Sequence, residues 1–434
     1  MKHQSLARWI LLIVLTLLVS SVSKTGASRA GDNTWTSINL HGATIEAFVI
    51  DPNDERVIWA ATNAGVFQTQ DSGASWVSRS DGLTGAWEEV AVNPEDSSVV
   101  FAVGQQGVYR SADAGMSWSR VHSAVSYAIA VSPLDGDVVL AGGSWGGGVW
   151  RSADGGASWQ QAEGPLPTDM VREIAFAPSA PHIVYAAGFG GIWKSVDHGA
   201  SWAPAHHGVV SPPTLYSAAV GPYDAQVVYI GTGNDGIYKT TNGGDSWTPI
   251  GSGLDSSHIA SIAIDPGNQQ IMYVGGGVNA GTGTPGVYRS LDNAGLSWEP
   301  MMEGMGSRGI YHLALDHASP QNLYAGTGGG MWKYTVVSGP DDYSVSINDG
   351  ALFTNQTAVT LTLTAPSGTS EVIVSNDGGF GDSAWEPFTA EKPWTITSYG
   401  EYVMPRVVYA KFRTHGETSG LYQDDIVLDT TAPT

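Results

Sequence analysis

The chain has no cysteine, and it has only 19 lysines and arginines against 41 aspartates and glutamates. Without thiols there is no disulfide framework, no thiolate metal site and no lipoprotein anchor, so a large core must hold the fold. The formal charge of −22 repels DNA, RNA and anionic lipid, which argues against nucleic acid as a partner. Sustained helical periodicity is missing as well, and with 56 glycines and few charges the composition fits a turn-dense all-β protein. Long apolar runs are absent beyond Trp9 to Val22, which is shorter than the roughly 20 residues of a spanning helix. Lys2 and Arg8 precede that run and small residues such as Ala27, Ser28 and Ala30 follow it, so 1–30 reads as a cleaved signal peptide. Cleavage would leave 15 basic against 41 acidic residues, a formal −26, on an extracellular or cell-surface protein with no membrane span.

What the chain does have is tryptophan at regular intervals. Trp35, Trp76, Trp118, Trp159, Trp202, Trp247 and Trp298 are separated by 41 to 51 residues, the length of one four-stranded propeller blade. Ahead of each motif comes an apolar strand, in most copies ending at a turn proline, such as Phe48 to Pro52, Val90 to Pro94 and Ile262 to Pro266. These runs read as innermost strands, apolar on both sides. A second strand follows, then a glycine that opens a third, as in Gly107-Val108-Tyr109-Arg110. Six of the seven tryptophans close the motif Ser/Thr-x-Asp-x-Gly-x-Ser-Trp, with Asp71, Asp113, Asp154, Asp197, Asn242 and Asp292 at the acidic position. There a carboxylate can accept backbone N–H bonds across a hairpin, and glycine supplies a positive φ. The seventh repeat lacks this motif after Trp332, while Trp35 stands in a fourth strand with nothing before it. The N-terminal strand is therefore expected to complete the last blade and close a seven-bladed β-propeller over 31–337.

The run Ser152-Ala153-Asp154-Gly155-Gly156-Ala157-Ser158-Trp159 and its copies resemble the Asp-box, or bacterial neuraminidase repeat, superfamily. The resemblance implies a propeller, but not one activity, because sialidases, xyloglucan hydrolases, the sortilin ectodomain and photosystem II assembly factors all share the repeat. It also implies that the boxes are scaffold, on the hairpin side away from the face such enzymes use.

Beyond a linker at 338–342, residues 343–434 change to short alternating strands, with Trp385 and Trp394 as core aromatics and Asn376-Asp377-Gly378-Gly379 as a hairpin signal. This segment resembles the immunoglobulin-like or fibronectin-type sandwiches of bacterial surface proteins, and a spacer is the role expected of it.

The loop face opposite the boxes collects the candidate ligand-binding residues Trp87, Trp145, Phe189, Asp169, His206, Tyr216, Asp235, Glu303 and Arg308. Aromatic rings and acids together suit stacking on sugars and hydrogen bonding to hydroxyls. The sialidase resemblance implies an arginine triad, but Arg110, Arg151 and Arg289 share one repeat position with Lys194, Lys239 and Lys333, as strand residues would. The resemblance to xyloglucan hydrolases in Trp59 to Phe67 implies a catalytic aspartate where Asn63 stands, and an amide transfers no proton. Other carboxylate pairs, such as Asp169 with Glu173 or Asp235, stay open. No histidine spacing fits zinc and no Asp-x-Asp-x-Asp-Gly loop offers calcium, so no cofactor is expected, a structural calcium aside. The sequence thus points to a non-catalytic propeller that binds a glycan or an extracellular protein. A glycoside hydrolase is the alternative, and an assembly-factor scaffold, which would need a basic patch, is a third.

Overall fold

The computed structural model describes residues 34–428, apart from 41, 145, 167–169, 210–213, 267–270, 278–282, 291–296, 307, 317–321, 336–342, 349, 352, 366–368, 377–379, 381–382, 398–403, 415–416 and 419–421. The expected leader and linker, and the candidate residues Trp145, Asp169 and Asp292, lie outside the described residues. Every element among the described residues is a β-strand, and no helix there is long and apolar enough to cross a membrane. Contacts divide the chain into one unit of 1–317 with 322–335 and a second of 318–321 with 336–434.

The first unit contains seven four-stranded antiparallel sheets, at 45–78, 89–122, 126–161, 171–204, 215–249, 259–300 and 310–335, the last joined by Trp35–Ser37. In the first sheet the strands run Ile45–Asp51, Asp54–Thr62, Gly65–Thr69 and Val77–Ser78, each paired with the next. The first strand of each sheet lies against the first strand of the following sheet, and that of 310–335 lies against that of 45–78. Second strands are the most enclosed: Ile58, Trp59, Ala60 and Ala61 are all 0 % exposed. Side chains from adjacent sheets share each core, as where Trp59 and Val66 meet Trp87, Val90, Val100 and Trp118. Burial of this many apolar side chains, at about 1.5–3 kcal/mol each, replaces the missing disulfides.

The repeated hairpins are built alike. Asp113 Oδ1 accepts from Ser117 N–H (2.9 Å), Asp113 Oδ2 from Ser117 Oγ (2.6 Å), and Ser111 Oγ accepts from Gly115 N–H (2.8 Å). Ala114 and Gly115, at φ 55° and 75°, turn the chain through two successive left-handed residues. Bonds from Ser117 and Ser111, and their equivalents in the other hairpins, hold Asp71, Asp113 and Asp154 down to about 2. Asn242 substitutes without loss of the turn, accepting from Ser246 N–H at 3.0 Å. Five of the seven indoles donate to a backbone carbonyl of the preceding sheet or its connection, for example Trp118 to Arg79 O (2.8 Å) and Trp247 to Ala205 O (2.8 Å). Trp159 and Trp202 instead donate within their own hairpins. Four-stranded sheets are thus stapled side to side.

The expected N-terminal strand pairs with the last strand of 310–335: Trp35 with Tyr334, Thr36 with Lys333 and Ser37 with Trp332. Trp35 is 2 % exposed, and its indole donates to Met301 O at 2.8 Å.

The strand-three cations line up against aromatics of strand two. Arg110 lies over Phe101, Lys194 over Tyr185, Lys239 over Tyr229 and Lys333 over Tyr324, at 5.3 to 6.0 Å. Each pair is a direct cross-strand neighbour. These cations therefore pack onto their own sheets.

In the second unit one sheet joins Ser344–Ile347, Ala358–Thr364 and Glu391–Thr395. The other joins Phe353–Thr354, Tyr422–Leu428, Met404–Thr414, Thr369–Ser375 and Glu386–Pro387, with Glu417–Thr418 beside Met404–Thr414. Val345, Leu361, Val372, Phe412 and Ile426 from both sheets form one buried cluster. The expected core tryptophans lie at its edge: Trp394 is partly buried against it, and Trp385 sits 4.2 Å beneath the Arg413 guanidinium.

Candidate functional site

The first strands are not apolar throughout, contrary to the sequence reading. They begin earlier than the apolar runs, five of the seven at Ile45, Val171, Leu215, Ile259 and Ile310, and polar residues stand between that opening residue and the run. Counted back two places from the apolar run, the seven strands carry Glu46, Glu88, Tyr127, Arg172, Tyr216, Ala260 and Tyr311. One place back stand Ala47, Glu89, Ala128, Glu173, Ser217, Ser261 and His312. All seven residues of the first column, with Ala47, Glu89, Glu173 and His312 of the second, line one cavity of about 300 Å³.

A repeated backbone irregularity explains how neighbouring residues reach the same space. Ile45 pairs with Thr62 and Ala47 with Ala61, so Glu46 is an extra residue in its strand. The same register jump leaves Tyr127, Arg172, Tyr216, Ala260 and Tyr311 unpaired in their sheets. In the second sheet Glu88 N–H donates to Val103 O (2.9 Å) although Glu89 is the residue paired with Val103. Such bulges re-aim side chains, and here they turn two successive residues toward one cavity.

The cavity is asymmetric in charge. His312, Glu46, Glu88 and Glu89 come from three consecutive sheets and form an arc of acceptors. Burial raises Glu46, with the charge of Glu88 adding to it, and Arg172 partly offsets both. Burial also raises Glu88, again tempered by Arg172. Glu89 keeps some accessible surface, but protein surrounds it, and this enclosure pushes it up to about 8 despite a bond from Ile129 N–H (2.8 Å). Enclosure first, and neighbouring Glu89 second, hold Glu173 well above the carboxylate range. Burial drives His312 down to about 4, and its Nδ1 has no partner. At neutral pH the imidazole is therefore uncharged, and one ring nitrogen is an acceptor.

Arg172 is the one cation lining the cavity. Its guanidinium lies 4.8 Å from the Tyr216 ring and 5.8 Å from Phe189, and it makes no ion pair within 4.0 Å among the described residues. Stacking holds it in place. Tyr216 also packs on His258, with centroids 4.5 Å apart.

Of the residues expected on the loop face, the structure brings together only Tyr216 and Phe189, joined by Arg172. Trp87 is 1 % exposed and edge-on to Tyr109, so it is a core residue and not a stacking platform. His206 leans on Trp193 with Nδ1 3.1 Å from Ile192 O. Asp235 is exposed beside Thr232, Glu303 is exposed and its backbone carbonyl accepts from Trp35 N–H, and Arg308 lies over Trp332 at 5.0 Å. None of these four lines the cavity. Asn63 caps a turn by accepting from Thr44 N–H at 3.0 Å. The carboxyl pair in the cavity is Glu89 with Glu173, so the sequence reading named one member with other partners. Among the described residues no three His, Asp or Glu side chains are grouped to hold a metal.

No family model and no curated protein matches the chain. Solved structures do. An ancestral GH74 enzyme has TM-score 0.61 and 17 % identity over 91 % of this chain and 63 % of its own. A GH74 enzyme from Niastella koreensis has TM-score 0.56 and 14 % identity, covering 89 % and 73 %. YCF48 bound to D1 peptide has TM-score 0.54 and 18 % identity, covering 70 % and 97 %. These neighbours are β-propellers, some of them glycoside hydrolases and some not, and at such identities the likeness shows the fold alone. The chain spans less than two thirds of the ancestral GH74 enzyme's length.

Proposed function

We propose that this chain is an exported seven-bladed propeller of the Asp-box type, closed by Trp35–Ser37 and followed by an immunoglobulin-like spacer, and that it binds a glycan without cleaving it. The observation that carries the reading is the cavity, in which seven strands converge three tyrosines, four glutamates, an arginine and a histidine. Tyrosine rings stack on sugar faces, and a mixed set of donors and acceptors fits hydroxyl groups, which do both. Against catalysis stand Asn63, whose amide closes a turn, and Glu89, whose carboxyl is engaged by Ile129 N–H. A carbohydrate array on the full chain, read for both retention and hydrolysis, tests this. Retention of an oligosaccharide with no product is the expected result, and turnover abolished by Glu173→Gln would overturn it.

One observation favours the second reading, a glycoside hydrolase. Enclosure pushes Glu89 up to about 8 and holds Glu173 well above the carboxylate range, and a carboxyl kept protonated at neutral pH is what a general acid requires.

A further inference from the structure

We infer that the glycan group entering the cavity is an amino sugar with a free, protonated amine, an inference that rests on the glycan reading above. The argument starts from the order of residues around the ring. His312, Glu46, Glu88 and Glu89 follow one another on three adjacent sheets, whereas Arg172 stands two sheets beyond Glu89. Four acceptors are therefore gathered on one side, while the guanidinium stands on another with Glu173 next to it in the strand.

Arg172 offsets that side only from a distance. It stacks on Tyr216 and Phe189 and pairs with no carboxylate within 4.0 Å among the described residues. The Glu46 and Glu88 carboxyls, both in the cavity lining, and an imidazole with an unpartnered, buried Nδ1 remain to be satisfied. A primary ammonium carries three N–H donors and one positive charge, so it can donate to more than one of these acceptors and relieves the repulsion between Glu46 and Glu88. Tyr311, from the same sheet as His312, also lines the cavity. An acetylated amine offers one neutral N–H and leaves the charge unmet. A uronate would place its carboxylate among four glutamates. On the far side, Ala260 leaves a gap between Tyr216 and Tyr311, flanked by rings against which a pyranose can lie.

Titration calorimetry on the full chain tests this with three hexasaccharides, of glucosamine, N-acetylglucosamine and galacturonate, and with a lysine-containing peptide. The expected result is that the glucosamine oligomer binds about tenfold or more tighter than its acetylated counterpart. Glu46→Gln and Glu88→Gln, each checked for an unchanged melting profile, should each erase that preference. Equal or tighter binding of the acetylated or uronate oligomer would overturn the amino-sugar inference and leave glycan binding intact. Binding of the peptide alone, with no oligosaccharide retained, would overturn the glycan reading and the inference together.

Discussion

Glu89 on one first strand accepts a hydrogen bond from the backbone N–H of Ile129 on the next, at 2.8 Å. Ser261 does the same for Leu313 N–H at 2.9 Å, from the same column of the repeat. First strands have one edge turned to the axis, where N–H groups lack a ladder partner, and this column supplies acceptors to them. Glu89→Ala should therefore cost about 1–3 kcal/mol, the penalty for an orphaned buried donor. Glu89→Gln keeps an acceptor oxygen and removes an ionisable group, so it should match the native chain at pH 5 and exceed it at pH 9. Denaturant titrations at the two pH values check this, and a Gln variant equally weak at both would place the bond elsewhere.

The pH dependence of the whole protein follows from the same groups. Glu89 moves from 4.5 unfolded to about 8 folded, so between those values the native state holds more protons and stability falls as pH rises. Glu173, also raised, acts in the same direction. His312 goes from 6.5 to about 4, so its contribution is fully present above pH 6.5 and is lost as pH falls toward 4. The hairpin aspartates, held near 2, contribute above pH 3.8 and lose that contribution as pH falls through 2. Together these place the stability maximum between about pH 4 and 6.5, with a decline above it of up to about 1.4 kcal/mol per pH unit for each titrating carboxyl. Melting in buffers from pH 3 to 9 measures the profile, and a flat region from 6.5 to 8 would contradict it.

The repeated hairpins differ from one another in a way that predicts their tolerance. Asn242 performs the turn function of an aspartate, so Asp113→Asn should cost less than Asp113→Ala, which removes the bonds from Ser117 and Ser111. Gly115→Ala should cost more than either, because a Cβ there would stand 2.7 Å from the Trp59 ring at φ +75°. Ranking the three by thermal denaturation checks the order.

Closure by the N-terminal strand is also open to direct attack. Trp35 packs on Tyr334 with centroids 5.4 Å apart and bonds both Met301 O and Glu303 O. Trp35→Ala should cost about 3–5 kcal/mol, in the range for a buried tryptophan. Amide exchange should then accelerate first in Gly330–Thr335, the strand it covers, and uniform acceleration would argue against a local seam.

The repeat was legible in the sequence because tryptophan, glycine and aspartate have fixed jobs at fixed spacing. A positive φ or an indole staple admits few substitutes, so the letters recur. The cavity recurs in position but not in letter: the column two places before the apolar run reads Glu, Glu, Tyr, Arg, Tyr, Ala and Tyr. No side chain there is required by the backbone, because a bulge tolerates any residue that can point toward the axis. That column lies two places ahead of the apolar runs, where nothing in the repeated letters marks it. Trp87 misled for the opposite reason: it lies between box and strand, where loops are expected, yet its indole fills the core beside Tyr109 and Trp118.

Arg172 sets the charge state of the acceptor arc from a distance. It lowers both Glu46 and Glu88 without pairing with either, and Tyr216 and Phe189 fix its position. Arg172→Met keeps the stem and removes the charge, so both carboxyls should titrate at higher pH than in the native chain. Carboxyl carbon shifts followed by NMR across pH 3 to 8 resolve the two groups. Phe189→Ala keeps the charge but removes one of the rings that holds it, and should move the midpoints less and broaden the arginine side-chain resonances. Unchanged midpoints in Arg172→Met would mean that solvent screens the guanidinium from the arc.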